Sequence, residues 1–161
     1  MWARQGCVAG AQAAIMRLPE VSIRIANWNE AQALVMPLRN EVFVMEQGVP
    51  PELELDEFDA LSQHAIAADD ANTVLATGRL LPDGHIGRMA VARSARRHGL
   101  GTAVLKALMS EAQRRGFART VLHAQLSAQG FYTRNGFTAF GPVFMDAGIE
   151  HVAMEKALTG I

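Results

Sequence analysis

The stretch Arg88–Lys106 reads RMAVARSARRHGLGTAVLK, and its reading decides the fold. A strand ends near Val91. A basic loop then runs through Arg93, Arg96, Arg97 and His98, and Gly99 and Gly101 open a helix. Glycine at these two positions lets successive backbone N–H groups turn inward into a concave nest with no Cβ in the way. The positive end of the helix stands behind that nest, and the arginines add full charges. Such a loop suits a pyrophosphate or a similar polyanion. Two common phosphate motifs fail on the residues: there is no Gly-x-x-x-x-Gly-Lys-Ser/Thr run, and Val104 stands where a dinucleotide fingerprint needs its third glycine.

Working outward, Gly99–Gly116 is the best helix of the chain, with Leu100, Val104, Ala107, Leu108 and Ala112 on one face and Gly116 placed as a C-cap. Upstream, Gln63–Ala68, Thr73–Leu81 and His85–Ala92 read as three strands joined by Asp69–Asn72 and by a Pro82-Asp83-Gly84 turn. Val21–Ala26 alternates as a half-buried first strand. A helical pattern follows through Leu34, Leu38, Val42 and Met45, and at Pro37 it either kinks or restarts. Downstream lie a short strand at Thr120–Ala124, a short helix at Ser127–Asn135, and closing strands at Phe137–Phe140, extending toward Met145, and at His151–Lys156. The order β-α-β-β-β-α-β-α-β-β implies a mixed sheet with helices packed on it.

The chain has 161 residues, half of them hydrophobic, enough for one domain with a core that needs no metal or disulfide. Residues 1–20 read as an N-terminal extension, or as an early translation start with Met16 as the natural one, ahead of a domain over 21–161. The extension lacks the apolar centre of a secretory signal, and no window supplies a membrane span. The single cysteine, Cys7, allows no internal disulfide framework and suits a reducing cytosol, so a cytoplasmic location is expected. The formal net charge of −1 gives no pointer to nucleic acid or an anionic membrane. The charge is nonetheless sorted along the chain. Seven carboxylates and no Lys or Arg occupy Glu41–Asp59, whereas eight basic residues face one acid, Glu111, over Arg88–Arg119. The run Glu52–Asp59 is either a solvated face or the rim of a cleft that favours a cationic amine.

The hexapeptide Arg96-Arg97-His98-Gly99-Leu100-Gly101 matches Arg/Gln-x-x-Gly-x-Gly, and here the chain resembles the GNAT (Gcn5-related) N-acetyltransferases. Phe131–Phe137 resembles the Tyr-x-x-x-Gly-Phe segment of that family. Arg39–Gln47, then Val49-Pro50, the acidic loop and His64, resemble its small bacterial ElaA/YjcF-like branch. The likeness covers about residues 21–156. It implies an α/β (α+β) fold: a mixed, mostly antiparallel sheet of six to seven strands with helices on both faces and a splay between the fourth and fifth strands.

It also implies acetyl-CoA as cosubstrate, an amine acceptor, and direct attack of that amine on the thioester. By resemblance, backbone around Met89, Ala90 and Val91 pairs with the pantetheine and polarises the thioester carbonyl. Amides of Arg97, His98, Gly99, Leu100, Gly101 and Thr102 hold the pyrophosphate, with Arg96 and Arg97 as charge partners. Tyr132 protonates the leaving thiolate. Gln125 and Ser127 occupy the neighbourhood where many relatives carry a pantetheine-binding asparagine. Glu46 and His123 are both candidates for the base that takes the amine proton, and His64 fits either the branch pattern or a bond to Asp56 or Asp59. The five histidines and Cys7 show no zinc-ligand spacing, so no metal is expected. Two other readings stay open: a CoA-binding module without turnover, and an acyl-homoserine-lactone synthase, which Leu38-Arg39 and Val42-Phe43 faintly resemble. An exposed edge in the closing strand pair would allow a homodimer.

Overall fold

The computed structural model describes residues 20–158, so the extension assigned to residues 1–20 lies, but for Glu20, outside the described residues. β1 (Val21–Ala26) leads to Asn27, whose side chain accepts a hydrogen bond from the Glu30 amide and caps α1 (Trp28–Arg39). Pro37 neither ends nor restarts this helix. It runs through to Arg39 and then widens into a π-helical segment, Asn40–Glu46, a rare geometry that recurs at functional sites. A short helix α2 (Pro51–Glu54) and a 3-10 turn (Asp59–Leu61) lead into β2 (Gln63–Asp69), β3 (Val74–Leu80) and β4 (His85–Val91). Then come α3 (Leu100–Arg114), β5 (Arg119–Gln125), α4 (Gln129–Arg134), β6 (Thr138–Asp146) and β7 (Ile149–Ala157).

The seven strands form one sheet in the order β1-β2-β3-β4-β5-β7-β6. All neighbours run antiparallel except β4 and β5, which are parallel and pair only at His85↔Val121 and Ile86↔Leu122. Beyond Ile86 and Leu122 the two strands part. This is the splay that the family resemblance implied.

Each face of the sheet carries its own core. On one, Leu100, Val104, Leu105, Leu108 and Ala112 of α3 pack on Ala65, Ala67, Ala76, Leu80 and Leu122. On the other, Ala31, Val35 and Leu38 of α1 and Val42 of the π segment pack on Ile66, Ala68, Val74 and Ala90. Each fully buried leucine here contributes about 1.5–3 kcal/mol of apolar burial. Small residues in β2 and β3 let α3 come close. A Cβ on Gly78 would stand 2.6 Å from Met89 Sδ and 2.8 Å from Leu108 Cδ1, so no side chain fits there.

β4 holds a feature that its sequence does not announce. Thr77 pairs with Ala90 but Arg79 with Gly87, so β4 carries one extra residue, and Arg88 takes φ +51°. This bulge bends the strand where it leaves β5. At the other end of the sheet β6 is an edge strand, with Phe140, Val143 and Met145 exposed.

Candidate active site

The parting of β4 and β5 opens a cleft of about 250 Å³, lined by Met89 from β4, Gln125 from β5 and Tyr132 from α4. Tyr132 is buried and sits edge-to-face between Phe131 and Phe137, with ring centroids 5.0 and 5.9 Å away. Burial pushes its phenol up to about 12, so it keeps its proton throughout the working pH range. Ala90 is buried in the core on the α1 face of the sheet, while Met89 and Val91 are half-buried.

At the other end of the gap a second cleft is lined by Val91, Arg96, Arg97, Gly99, Leu100, Gly101, Thr102, Phe131 and Arg134. Arg97 and Gly99 both take left-handed backbone, φ +67° and +83°. This alternation turns neighbouring N–H groups to one side, and α3 begins at Leu100 with no side-chain cap on its first amides. The two glycines serve different ends. Gly99 supplies its positive φ, whereas a Cβ on Gly101 would press to 3.3 Å from the Phe131 ring. His98, expected in the same loop, is exposed and does not line this cleft. Arg134 does line it, although the sequence reading passed over it inside the Phe131–Phe137 segment.

We expect Gly99→Ala to weaken CoA binding about fivefold in calorimetry, because a Cβ on left-handed backbone costs about 1–2 kcal/mol, which the loop sheds by leaving the nest geometry. An unchanged Kd would mean that this nest does not hold the ligand.

Arg96 is not a free phosphate partner. Its Nε donates to the Val91 carbonyl at 3.0 Å, and its Nη2 and Nη1 grip the Glu46 carboxylate at 2.7 and 3.1 Å. Arg93 reaches the same carboxylate at 3.3 Å. The Arg96 hydrogen bonds, joined by Arg93, hold Glu46 below the usual carboxylate range despite some burial, so it is a poor proton acceptor near neutrality. The next residue, Gln47, accepts a 2.8 Å hydrogen bond from Gln125 Nε2. The end of the π segment thus grips the loop after β4 through Glu46 and the end of β5 through Gln47, bridging the splay.

Residues 29–158 match the family model described as the acetyltransferase (GNAT) domain. The chain is 38% identical over 122 residues to the N-acetyltransferase YjcF of Bacillus subtilis, covering 74% of this chain and 87% of YjcF. The chain belongs to the GNAT acetyltransferase family. Its fold matches an acyl-CoA N-acyltransferase from Pseudomonas aeruginosa (TM-score 0.76, 30% identity, 86% of this chain and 100% of that one). It also matches Escherichia coli ElaA (TM-score 0.74, 23% identity, 85% and 99%). The chain is therefore an acyltransferase with the GNAT sheet and splay.

In this GNAT domain His123 lies on β5 just past the splay. Its ring meets His85 of β4 edge-on at 5.8 Å and Phe144 of β6 at 5.1 Å, and Phe144 in turn stacks with His151 of β7 at 5.8 Å. Burial, then the charges of His85 and His151, lower the His123 imidazole, while Asp146 of β6 pulls the other way. The sequence reading left His85 and His151 unassigned. The pairing of β5 with both β4 and β7 brings them to the same cleft. Among the described residues this cluster is not one that could hold a metal ion.

The acidic loop corrects both readings made from the sequence. Glu54 and Asp59 are buried, at 2% and 1% exposure, around the equally buried Arg39. Arg39 Nε donates to Glu54 Oε1 at 2.6 Å, and Nη1 and Nη2 fork onto Asp59 at 2.7 and 3.1 Å. Arg79 bridges Asp56 and Asp59 at 2.7 and 2.9 Å, and Arg88 reaches Asp56 at 3.2 Å. Three carboxylates meet three arginines, so the loop is neither a solvated face nor a free anionic rim; only Glu52 and Glu57 point to solvent. His64 Nε2 donates to the Asp59 backbone carbonyl, 2.9 Å away, and the ring packs on Trp28. It is a bracket of this loop.

Proposed function

We propose that the protein moves an acetyl group from acetyl-CoA to the primary amine of a small molecule or a protein amino group. The observation that carries this reading is a pair of clefts at the parting of β4 and β5. One part is the Arg97–Thr102 nest and the other a cleft beside Met89 lined by Tyr132 and His123, and an extended ligand would run between them along the parting of β4 and β5. The nest amides fit a diphosphate, with Arg97 and Arg134 as its charge partners now that Arg96 is committed to Glu46. A thioester drawn along the gap would meet the β5-facing edge of β4 at Met89–Val91, where an N–H not bonded to β3 would stabilise a developing oxyanion.

The acceptor amine arrives mostly protonated at neutral pH and must lose a proton before it attacks. His123 takes that role in preference to Glu46, because its lowered imidazole is neutral at pH 7 whereas Glu46 is tied to two arginines. The C–N bond forms, the C–S bond breaks, and Tyr132 donates to the departing sulfur. Full transfer from a phenol near 12 to a thiolate of ordinary pKa would be uphill by roughly 5 kcal/mol. The hydrogen bond given in the transition state is therefore the larger part of the role. Leu38, Val42 and Phe43, which carried the faint likeness to lactone synthases, are core residues, and Arg39 is an ion-pair residue. That likeness thus rests on packing. The exposed apolar side chains of β6 are the edge on which a second copy would pair.

Thiol release from acetyl-CoA across amines, amino acids, polyamines and peptides tests the proposal. Release with a defined acceptor supports transfer. Tight acetyl-CoA binding with no release from any acceptor would favour a binding module without turnover. For the base, His123→Gln should lower kcat/KM roughly 100-fold. The wild-type acid limb should lie below the ordinary histidine value of about 6.5, since a lowered imidazole is already neutral above its own pKa. That limb should vanish in the variant, and an unchanged profile would remove His123 from the mechanism.

A further inference from the structure

Beside Tyr132 the acceptor cleft widens into a region of about 420 Å³ against the acidic loop, with Phe43, Leu53, Phe58 and Ile149 as apolar wall. Leu53 and Phe58 are 53% and 43% exposed on its rim, an apolar surface left open among the described residues. Arg88 lines both parts of the cleft. Its hydrogen bonds come from Nε, to the Glu54 carbonyl at 3.0 Å, and from Nη2, to the Leu53 carbonyl and Asp56 at 3.1 and 3.2 Å. Nη1 is left without a partner among the described residues, on a guanidinium 26% exposed to the cleft. The left-handed backbone at the β4 bulge fixes where this side chain emerges.

Two of the three networked loop carboxylates offer little to a second cation. Asp56 and Asp59 already hold two arginines each, and Asp59 is buried. Among the described residues two buried side-chain polar atoms on this cleft lack partners, Glu54 Oε2 and Arg79 Nε, and a polar ligand would account for both. Burial, then the neighbouring Arg79 charge, lowers Arg88 itself. On the opposite side, Asp146 of β6 and His123 of β5 face the same space.

We propose that the acceptor is a small amphipathic amino acid. Its carboxylate sits on the open edge of Arg88, its apolar side chain on Leu53 and Phe58, and its amine toward His123 and Asp146. This rests on the amine-acetylation reading above and narrows it. A polyamine would leave the open edge of Arg88 without an anion.

The test compares phenylalanine, phenylalaninamide, phenethylamine and spermidine as acceptors for wild type, R88K and R88Q, with acetyl-CoA saturating. Wild type should favour phenylalanine over the amide and the decarboxylated amine by about tenfold or more in kcat/KM, the scale of one charged hydrogen bond. R88Q should bring the three within about twofold of one another, and R88K should keep part of the preference. Equal rates in wild type, or spermidine as the best acceptor, would overturn the proposal. So would release with other amines but none of this series, while leaving acetyl transfer itself intact.

If no amine at all gives release, the acetyltransferase reading falls instead, and binding decides the acceptor class. N-acetylphenylalanine titrated into the CoA-loaded protein should bind at least about tenfold more weakly to R88Q than to wild type, and equal affinity would refute the carboxylate site. Melting curves show whether R88Q is folded; if it is not, R88K carries the comparison.

Discussion

Arg39→Ala should destabilise the protein by about 3–5 kcal/mol, because it takes from the buried Glu54 its close ion-pair partner and leaves the buried Asp59 with Arg79 as its remaining arginine. Arg39 is 1% exposed and, among the described residues, is the one side chain that hydrogen-bonds both the Glu54 and Asp59 carboxylates. Their desolvation is offset by this fork, and neither can turn to water without undocking the segment from Pro51 to Leu61. Denaturant unfolding should show the loss as a lower midpoint. A change below about 1 kcal/mol, the size typical of an exposed pair, would mean that the network is solvated in solution. R39K should fall between, since an ammonium cannot fork onto Asp59.

The same network sets an acid limit. For Asp59 burial works toward a higher value, but the hydrogen bonds and charge of Arg39, the Asp56 amide and Arg79 outweigh it. Asp56 ends low as well, through Arg79 and then Arg88. Carboxyls held below their unfolded value of about 3.9 add stability that is present above that pH and lost as the pH falls through the folded value. Acid unfolding should therefore begin below about pH 4.

Tyr132→Phe should lower kcat roughly 100-fold while leaving the acetyl-CoA KM within about twofold. The hydroxyl is asked to meet charge that exists only as the C–S bond breaks, so its removal should spare ground-state binding. The ring itself, wedged between Phe131 and Phe137, is retained by phenylalanine, so the fold should not move. A loss of cofactor affinity equal to the loss of rate would assign Tyr132 to binding. No loss at all would make it a core tyrosine.

What the sequence disclosed was local. Alternation in Val21–Ala26, the glycines at 99 and 101 and the periodic face of α3 each declare their structure within a few residues, and the element order follows from them. The family resemblance then supplied the splay, which no single strand encodes. What escaped depends on partners far along the chain. Glu46 and Arg96 are 50 positions apart, and Arg88 and Asp56 are 32. Counting charge in windows therefore sorted Glu41–Asp59 from Arg88–Arg119 and missed that the fold pairs the two blocks. Arg39 and Arg79, which complete the network, lie outside both windows. The bulge at Arg88 was invisible for another reason: its left-handed backbone is occupied by arginine, and no glycine or asparagine marks it. The net charge of −1 is thus mostly internal pairing.

The most direct test of the account is amide hydrogen exchange with and without acetyl-CoA. Bound ligand should slow exchange at Met89–Val91 and at Arg97–Thr102 together, since one molecule would pair with the freed edge of β4 and fill the nest. Protection confined to other elements, or at the nest without β4, would contradict the claim that acetyl-CoA lies along the β4–β5 gap.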